Sequence, residues 1–263
     1  GEQDFVIAVR DKYGKAFAEK NLLLNPANSY MWAAGALAAE VVLETEGIDS
    51  VDLTYELADT LPSQASTKSF LRMVNNPQYY LKNNEMVEWR GDRAFTVSVP
   101  HKSTPVLALP WSGGCEPVWY EHDPRVRNCK VLTAFGDDII EAVVAKIHQF
   151  NEESAGMGQS EREELTNRYG DEMTSSEPGK DSPDIHRTVI TCLGQGRQLT
   201  ITFPLSLTTP YSFTGEICAE AAERLLNDQL KAVGFQSAAS AFGHRELISK
   251  FHELGYTNNP FAD

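Results

Sequence analysis

The sequence is poor in several features that would assign a protein to a class at once. Its four cysteines, Cys115, Cys129, Cys192 and Cys218, form no C-x-x-C pair, and four in 263 residues are too few for a disulfide scaffold. No apolar run approaches the length of a membrane span. Basic residues are scarce, since 23 Lys and Arg stand against 37 Asp and Glu, for a net charge of −14. We therefore expect a cytoplasmic protein with reduced thiols that binds neither nucleic acid nor a membrane.

Short catalytic motifs are also missing. There is no G-x-S-x-G elbow, no H-E-x-x-H and no G-x-G-x-x-G after a strand. The six histidines have no spacing typical of metal ligands, so we predict no metal site. Cys115 follows two glycines and is a remote candidate for a nucleophile, because the neighbouring acids Glu116, Glu121 and Asp123 would raise the pKa of its thiol.

The residue patterns predict an α+β fold. Predicted helices cover 26–43, 66–74, 137–150, 214–233 and 245–254, and predicted strands cover 51–55, 85–89, 94–99, 131–135, 186–193 and 198–203. The last two strands form the clearest hairpin, and those at 85–89 and 94–99 are predicted to form a second one around 90–92. Because antiparallel hairpins dominate, we predict one mixed, mostly antiparallel sheet with helices packed on one face.

The least generic stretch runs from Pro105 to Lys130 and reads PVLALPWSGGCEPVWYEHDPRVRNCK. It has no helical or strand period beyond its first apolar run, so we predict a long structured loop of the kind that forms binding sites. Its candidates for shaping a pocket are Trp111, Glu116, Trp119 and Tyr120. Alternatively, the two tryptophans, Trp111 and Trp119, cap the core while Glu116 and Arg125 pair on the surface.

Two arginines alternate within this stretch, in DPRVRNC. If the segment is extended, Arg125 and Arg127 point the same way, and their guanidinium groups suit a carboxylate or phosphate. The alternative is that they form salt bridges with Asp123, Glu121 or Glu116.

Hydroxyl groups form a second polar spot before the helix predicted at 66–74. It contains Ser63, Ser66, Thr67 and Ser69. These residues either cap the helix or line a pocket.

Three stretches of the chain resemble the C-terminal, non-Rossmann part of saccharopine dehydrogenase-like oxidoreductases. They are NLLLNPANSYMWAAGALAAEVV from Asn21, LPWSGGCEPVWYEHDPRVRNC from Leu109 and TPYSFTGEICAEAAERLL from Thr209. The resemblance spans nearly all the chain from Asn21 onward, apart from residues 151–184, which are rich in Glu, Ser, Gly and Asp. It implies that residues 1–20 are the tail of an interdomain link. Residues 21–263 would then form a single α+β domain with a variable, exposed segment at 151–184.

The same resemblance implies a function. The chain would be the substrate-binding and dimerisation domain of an NAD(P)-dependent oxidoreductase, working with its own N-terminal Rossmann domain, which this sequence lacks. We expect NAD or NADP in the full-length protein and none on this fragment, a homodimer, a small and possibly anionic substrate, and no activity from the fragment alone. The expected substrate contacts are Trp111, Glu116, Trp119, Tyr120, Arg125, Arg127, Ser66 and Tyr211; no catalytic residue can be carried over. The alternative is a non-catalytic binding or assembly module that acts without a cofactor.

Overall fold

The computed structural model describes residues 2–57, 63–89, 93–110, 114–172, 188–258 and 261. Within these ranges the helices are α1 (Gln3–Glu19), α2 (Tyr30–Leu43), α3 (Gln64–Asn75), α4 (Glu116–Tyr120), α5 (Asp137–Glu153), α6 (Gln159–Glu172), α7 (Pro210–Leu226), α8 (Ala238–Phe242) and α9 (His244–Glu253). The strands are β1 (Leu23–Leu24), β2 (Ile48–Leu57), β3 (Tyr79–Lys82), β4 (Glu85–Glu88), β5 (Phe95–Val97), β6 (Val106–Leu109), β7 (Asn128–Phe135), β8 (Thr188–Gly196), β9 (Thr200–Leu207) and β10 (Gly234–Phe235).

The main sheet has the order β4-β3-β7-β2-β8-β9, and the β5–β6 hairpin joins it through β7. The central pair β2–β7 is parallel, whereas its other pairs are antiparallel. The mixed, mostly antiparallel sheet of the sequence-based prediction is therefore confirmed. We call the edge at which β2 and β7 end the carboxyl edge.

Helix α2 lies at the centre of the core. It is apolar on nearly every side, as expected of a helix that is covered all round, and its residues from Ala33 to Ala39 are buried. Helices α7, α8 and α9 pack around it, and Val51, Leu53 and Tyr55 of β2 belong to the same core. Small side chains along α2 allow the close approach to the sheet on which the candidate site depends.

One predicted hairpin is wrong. The strand at 85–88 pairs with β3, and the strand at 95–97 pairs with β6, so the two do not pair with each other. The turn predicted between them, 90–92, lies outside the described residues. The true hairpin turns at Asn83 and Asn84, which both have positive φ, 53° and 65°. Asparagine tolerates that conformation better than most residues.

The segment 105–130 is more regular than predicted. It contains β6, the five-residue helix α4 and the start of β7, so the prediction of one long loop is wrong. A helix of only five residues is too short to show a period in the sequence. Helix α7 also ends at Leu226, short of the predicted Val233.

Two peripheral segments pack onto the rest of the described chain. The side chain of Gln3, in α1, donates hydrogen bonds to the carbonyl oxygens of Tyr79 and Gly114. In α6, which lies within the segment predicted to be exposed, Leu165 and Tyr169 are buried against Leu71. That segment is therefore packed on one face over 159–172, and residues 173–184 lie outside the described ranges. The role of residues 1–20 as an interdomain link stays a prediction.

Candidate functional site

Helix α3 begins at a hydroxyl cluster. Ser63 is the N-cap residue, and its Oγ accepts a hydrogen bond from the backbone N–H of Ser66 at 3.2 Å. The hydroxyl of Thr67 donates to the carbonyl oxygen of Ser63 at 3.1 Å. Helix capping, one of the two roles expected for these hydroxyls, is confirmed for Ser63.

The N-terminal end of α7 meets the same cluster. Tyr211 Oη accepts a hydrogen bond from the backbone N–H of Ser63 at 2.7 Å and lies 3.1 Å from Ser66 Oγ. Both Ser66 and Tyr211 are partly exposed. The structure thus brings together two of the predicted substrate contacts that are separated by 145 positions in the sequence.

A row of aromatic rings leads from α7 into the core. Phe213 packs edge-on against Tyr30 with ring centroids 6.5 Å apart, and Tyr30 packs edge-on against Tyr55 at 5.5 Å. Tyr55 Oη accepts a hydrogen bond from the backbone N–H of Gly35 at 2.7 Å and donates one to Glu116 Oε1 at 2.5 Å. The row connects the helix that carries Tyr211 with the most deeply buried acid of the site.

Glu116 is fully buried, with no exposed surface. Loss of solvent raises the pKa of its carboxyl group to about 8, and the hydrogen bond from Tyr55 only partly offsets this effect. Its Oε2 atom has no hydrogen-bond partner among the described residues. At neutral pH this side chain is therefore a protonated acid, which can donate a proton or a hydrogen bond.

Two glycines make room for this carboxyl group. A Cβ atom on Gly35 would lie 2.0 Å from Glu116 Oε1, and one on Gly114 would lie 2.4 Å from Glu116 Oε2. Both approaches are too close for any other residue type without movement of the neighbours. Gly114, directly before Cys115, thus has a packing role that the sequence alone did not indicate.

A network of charges surrounds Arg125 next to α2. Its guanidinium group donates to both carboxylate oxygens of Glu40 at 3.0 Å and to Asp123 at 2.6 to 3.1 Å. Tyr120 Oη donates to Glu40 Oε1 at 3.1 Å. The hydrogen bonds to Asp123, with those to Glu40, raise the pKa of Arg125 despite partial burial. The salt-bridge alternative is therefore what the structure shows for Arg125, since two carboxylates already occupy its donors.

Arg127 does not share these partners. Its guanidinium group lies 3.6 Å from Asp49 and donates a long hydrogen bond of 3.4 Å to Asn83. The prediction of an extended segment required the two arginines to converge on one ligand-sized space. They precede β7 and have different partners, so they do not converge in this way. Their contribution to substrate binding stays a prediction.

The aromatic candidates lie in different places. Trp119 stacks on Phe235 with centroids 4.6 Å apart, and its indole N–H donates to the carbonyl oxygen of Trp32 at 3.3 Å. Tyr120 is buried, and burial raises the pKa of its hydroxyl group. Trp111 lies outside the described residues. Capping of the core, the alternative stated for the tryptophans, describes Trp119 well.

The thiol of Cys115 is poorly suited to act as a nucleophile. Cys115 is buried, and desolvation raises the pKa of its thiol well above the ordinary value. Among the described residues, no group of three or more His, Cys, Asp or Glu could hold a metal ion. In the same part of the chain, no helix is long and apolar enough to cross a membrane.

Several residues of the site were missed because their partners are distant in sequence. Tyr55 bonds to a carboxyl group 61 positions away, and Glu40 pairs with an arginine 85 positions away. Glu40 did carry a signal, because it is a lone acid within an otherwise apolar helix. Such a residue is rarely buried without a cationic partner.

Residues 33–262 match a family described as a family of unknown function, DUF5938. The chain belongs to that family. A search of curated proteins finds no match.

Among solved structures, the chain is similar to apo histidine-tagged saccharopine dehydrogenase (L-Glu forming) from Saccharomyces cerevisiae. The TM-score is 0.51 at 10% sequence identity, and the match covers 94% of this chain and 75% of the yeast chain. At this identity the similarity shows the fold alone, which resembles that of saccharopine dehydrogenase.

Proposed function

We propose that this chain is the substrate-binding domain of an NAD(P)-dependent oxidoreductase related to saccharopine dehydrogenase. The observation that carries the proposal is the fold similarity to that enzyme over 94% of the chain. Because fold alone does not assign a reaction, the proposal also depends on the site. The cofactor site belongs to a Rossmann domain, and a homodimer is the assembly that the resemblance implies.

The hydroxyl cluster of Ser66 and Tyr211 is the proposed substrate contact. These groups lie where α3 and α7 begin, and both donate and accept hydrogen bonds. A site with a few convergent polar groups beside an apolar row is typical of small-molecule binding. Glu116 lies at the inner end of the aromatic row as a neutral acid.

The test uses the native gene product that carries this chain, purified from its source. NADPH and NADH binding are measured by cofactor fluorescence, and oxidation of saccharopine, the substrate named for the yeast enzyme, is measured by NADP⁺ or NAD⁺ reduction. We expect micromolar binding of one of the two cofactors and measurable turnover of saccharopine or of an amino acid close to it. A product that binds neither nucleotide contradicts the proposal and favours a binding module that acts without a cofactor.

Two variants then examine the hydroxyl cluster. Tyr211→Phe and Ser66→Ala each remove one hydroxyl group, and we expect the KM for the substrate to rise about tenfold, as for the loss of one hydrogen bond of about 1.4 kcal/mol. Cofactor affinity should be unchanged. Ser212→Ala, an exposed residue next to Tyr211, is the matched control, and equal KM values for all three variants would exclude the cluster from the substrate site.

A further inference from the structure

A second group of titratable side chains centres on β2. Glu56 lies in register between Ala134 of β7 and Val189 of β8, one position before the strand ends. Because side chains alternate along a strand, it points away from the face to which Tyr55 contributes. Only 2% of Glu56 is exposed, and a carboxylate buried to this extent needs a cationic or hydrogen-bonding partner.

The loop from β5 to β6 supplies two such partners. His101 Nε2 lies 2.5 Å from Glu56 Oε2, and Lys102 Nζ lies 2.6 Å from Glu56 Oε1. The loop is held by a turn in which the backbone N–H of Lys102 donates to the carbonyl oxygen of Val99, a buried residue. The side chains of His101 and Lys102 remain about one third exposed, 37% and 34%.

The contact between His101 and Glu56 bears on the tautomer of the imidazole. It is an ion-pair contact and not an aligned hydrogen bond, since neither carboxylate oxygen of Glu56 has a hydrogen-bond partner among the described residues. Because an unprotonated nitrogen would be repelled by a carboxylate oxygen at 2.5 Å, we expect Nε2 of His101 to carry the proton. When the ring is neutral, its lone pair is then on Nδ1. No described residue forms a hydrogen bond with Nδ1, and 37% of the His101 side chain is exposed.

We propose that His101 is an acid–base residue and that Glu56 positions its imidazole ring at the carboxyl edge of the parallel pair β2–β7. A carboxylate that holds one ring nitrogen while the other faces a ligand is a recurrent arrangement for proton transfer. Ligands of open sheets that contain parallel strands also tend to bind beyond the carboxyl ends of those strands. The ligand class is a small molecule that presents a hydroxyl or amine group to Nδ1.

This inference rests on the proposed oxidoreductase function and assigns the residue that accepts the substrate proton in that reaction. In the full-length protein, a nicotinamide cofactor would accept a hydride, with its electron pair, from a C–H bond next to an alcohol or amine. The hydroxyl or amine loses a proton, which His101 Nδ1 accepts, and a C=O or C=N bond forms. Lys102 contacts the other carboxylate oxygen of Glu56, Oε1, at 2.6 Å.

The first test measures the tautomer without any activity. Nitrogen-15 NMR of the native gene product, with the His101 signals assigned by their loss in His101→Asn, should show a protonated Nε2 and an unprotonated Nδ1. In Glu56→Gln that preference should weaken toward a mixture of tautomers. A proton on Nδ1 in the unaltered protein, or a tautomer that Glu56→Gln leaves unchanged, overturns the inference.

The second test measures turnover of saccharopine with NADP⁺ or NAD⁺ by the same product. His101→Asn should lower kcat about 100-fold or more, and Glu56→Gln roughly 10-fold, with the KM for saccharopine within threefold of the unaltered value. His148→Asn, an exposed histidine of α5, is the control and should keep full kcat. A fully active His101→Asn variant overturns the inference while the proposed function stands. A product that binds no nicotinamide cofactor removes the proposed function, and the NMR result then decides the proton site.

Discussion

Glu116 should make the stability of this protein fall as the pH rises. Burial raises the pKa of its carboxyl group from 4.5 to about 8 in the folded chain. Below pH 4.5 the group is protonated in both the folded and the unfolded states, and its contribution to stability is complete. Between pH 4.5 and about 8 only the unfolded chain ionises, so the free energy of unfolding falls by about 1.4 kcal/mol for each pH unit. The loss is complete above pH 8 and amounts to roughly 5 kcal/mol as an upper bound.

The Glu116→Gln variant isolates this contribution. Glutamine has nearly the same shape, can accept the hydrogen bond from Tyr55 and does not titrate. The free energy of unfolding is measured with urea at pH 5, 7 and 9 for both proteins. As pH rises, the original protein should lose more of this free energy than the variant, so the stability of the variant relative to the original should increase. Glu85→Gln, at an exposed position of strand β4, is the control for the replacement of a glutamate by glutamine. It should change the free energy of unfolding by less than about 0.5 kcal/mol at pH 7. A difference between Glu116→Gln and the original protein that is constant with pH would refute the reasoning.

Three further results are expected. Gly35→Ala should destabilise the fold by about 3 kcal/mol, because the added methyl group displaces the buried pair of Tyr55 and Glu116. Gly215→Ala, on the open face of α7, should stabilise the fold by up to about 1 kcal/mol, and thermal unfolding compares the two variants. Arg125→Ala should lower the free energy of unfolding in urea by about 2 kcal/mol, because it leaves the buried carboxylate of Glu40 without its half-exposed cationic partner. Arg127→Ala should lower it by less than about 0.5 kcal/mol, and equal costs for the two variants would contradict the assigned partners. A thiol reagent should modify only Cys218 in the native chain, because the other three cysteines are buried, and rapid reaction of a second thiol would contradict the core as described.

The fold was predictable where the pattern was local. The apolar helix α2 and the β8–β9 hairpin follow from the spacing of their apolar residues, and together they lead to the correct α+β class. The β3–β4 hairpin was missed because its turn is Asn83-Asn84, which lacks the glycine that usually marks such a turn. Helix α4 was missed because five residues do not complete enough turns to display a period.

The site was less predictable because its contacts join distant parts of the chain. The sequence did indicate Ser66 and Tyr211, and the structure places their hydroxyl groups 3.1 Å apart. It did not indicate that Arg125 faces Glu40, because that pairing depends on how the segment before β7 lies against α2. Composition and periodicity describe which residues are buried, but they do not describe which buried polar groups meet.

The most direct test of the central claim is the intact mass of the native polypeptide, captured from its source with an antibody against this domain, together with its binding of NADPH. The account predicts a polypeptide larger by roughly the size of a dinucleotide-binding domain, ~130 residues, and micromolar affinity for NADPH or NADH. A native polypeptide of 263 residues that binds neither cofactor would contradict it.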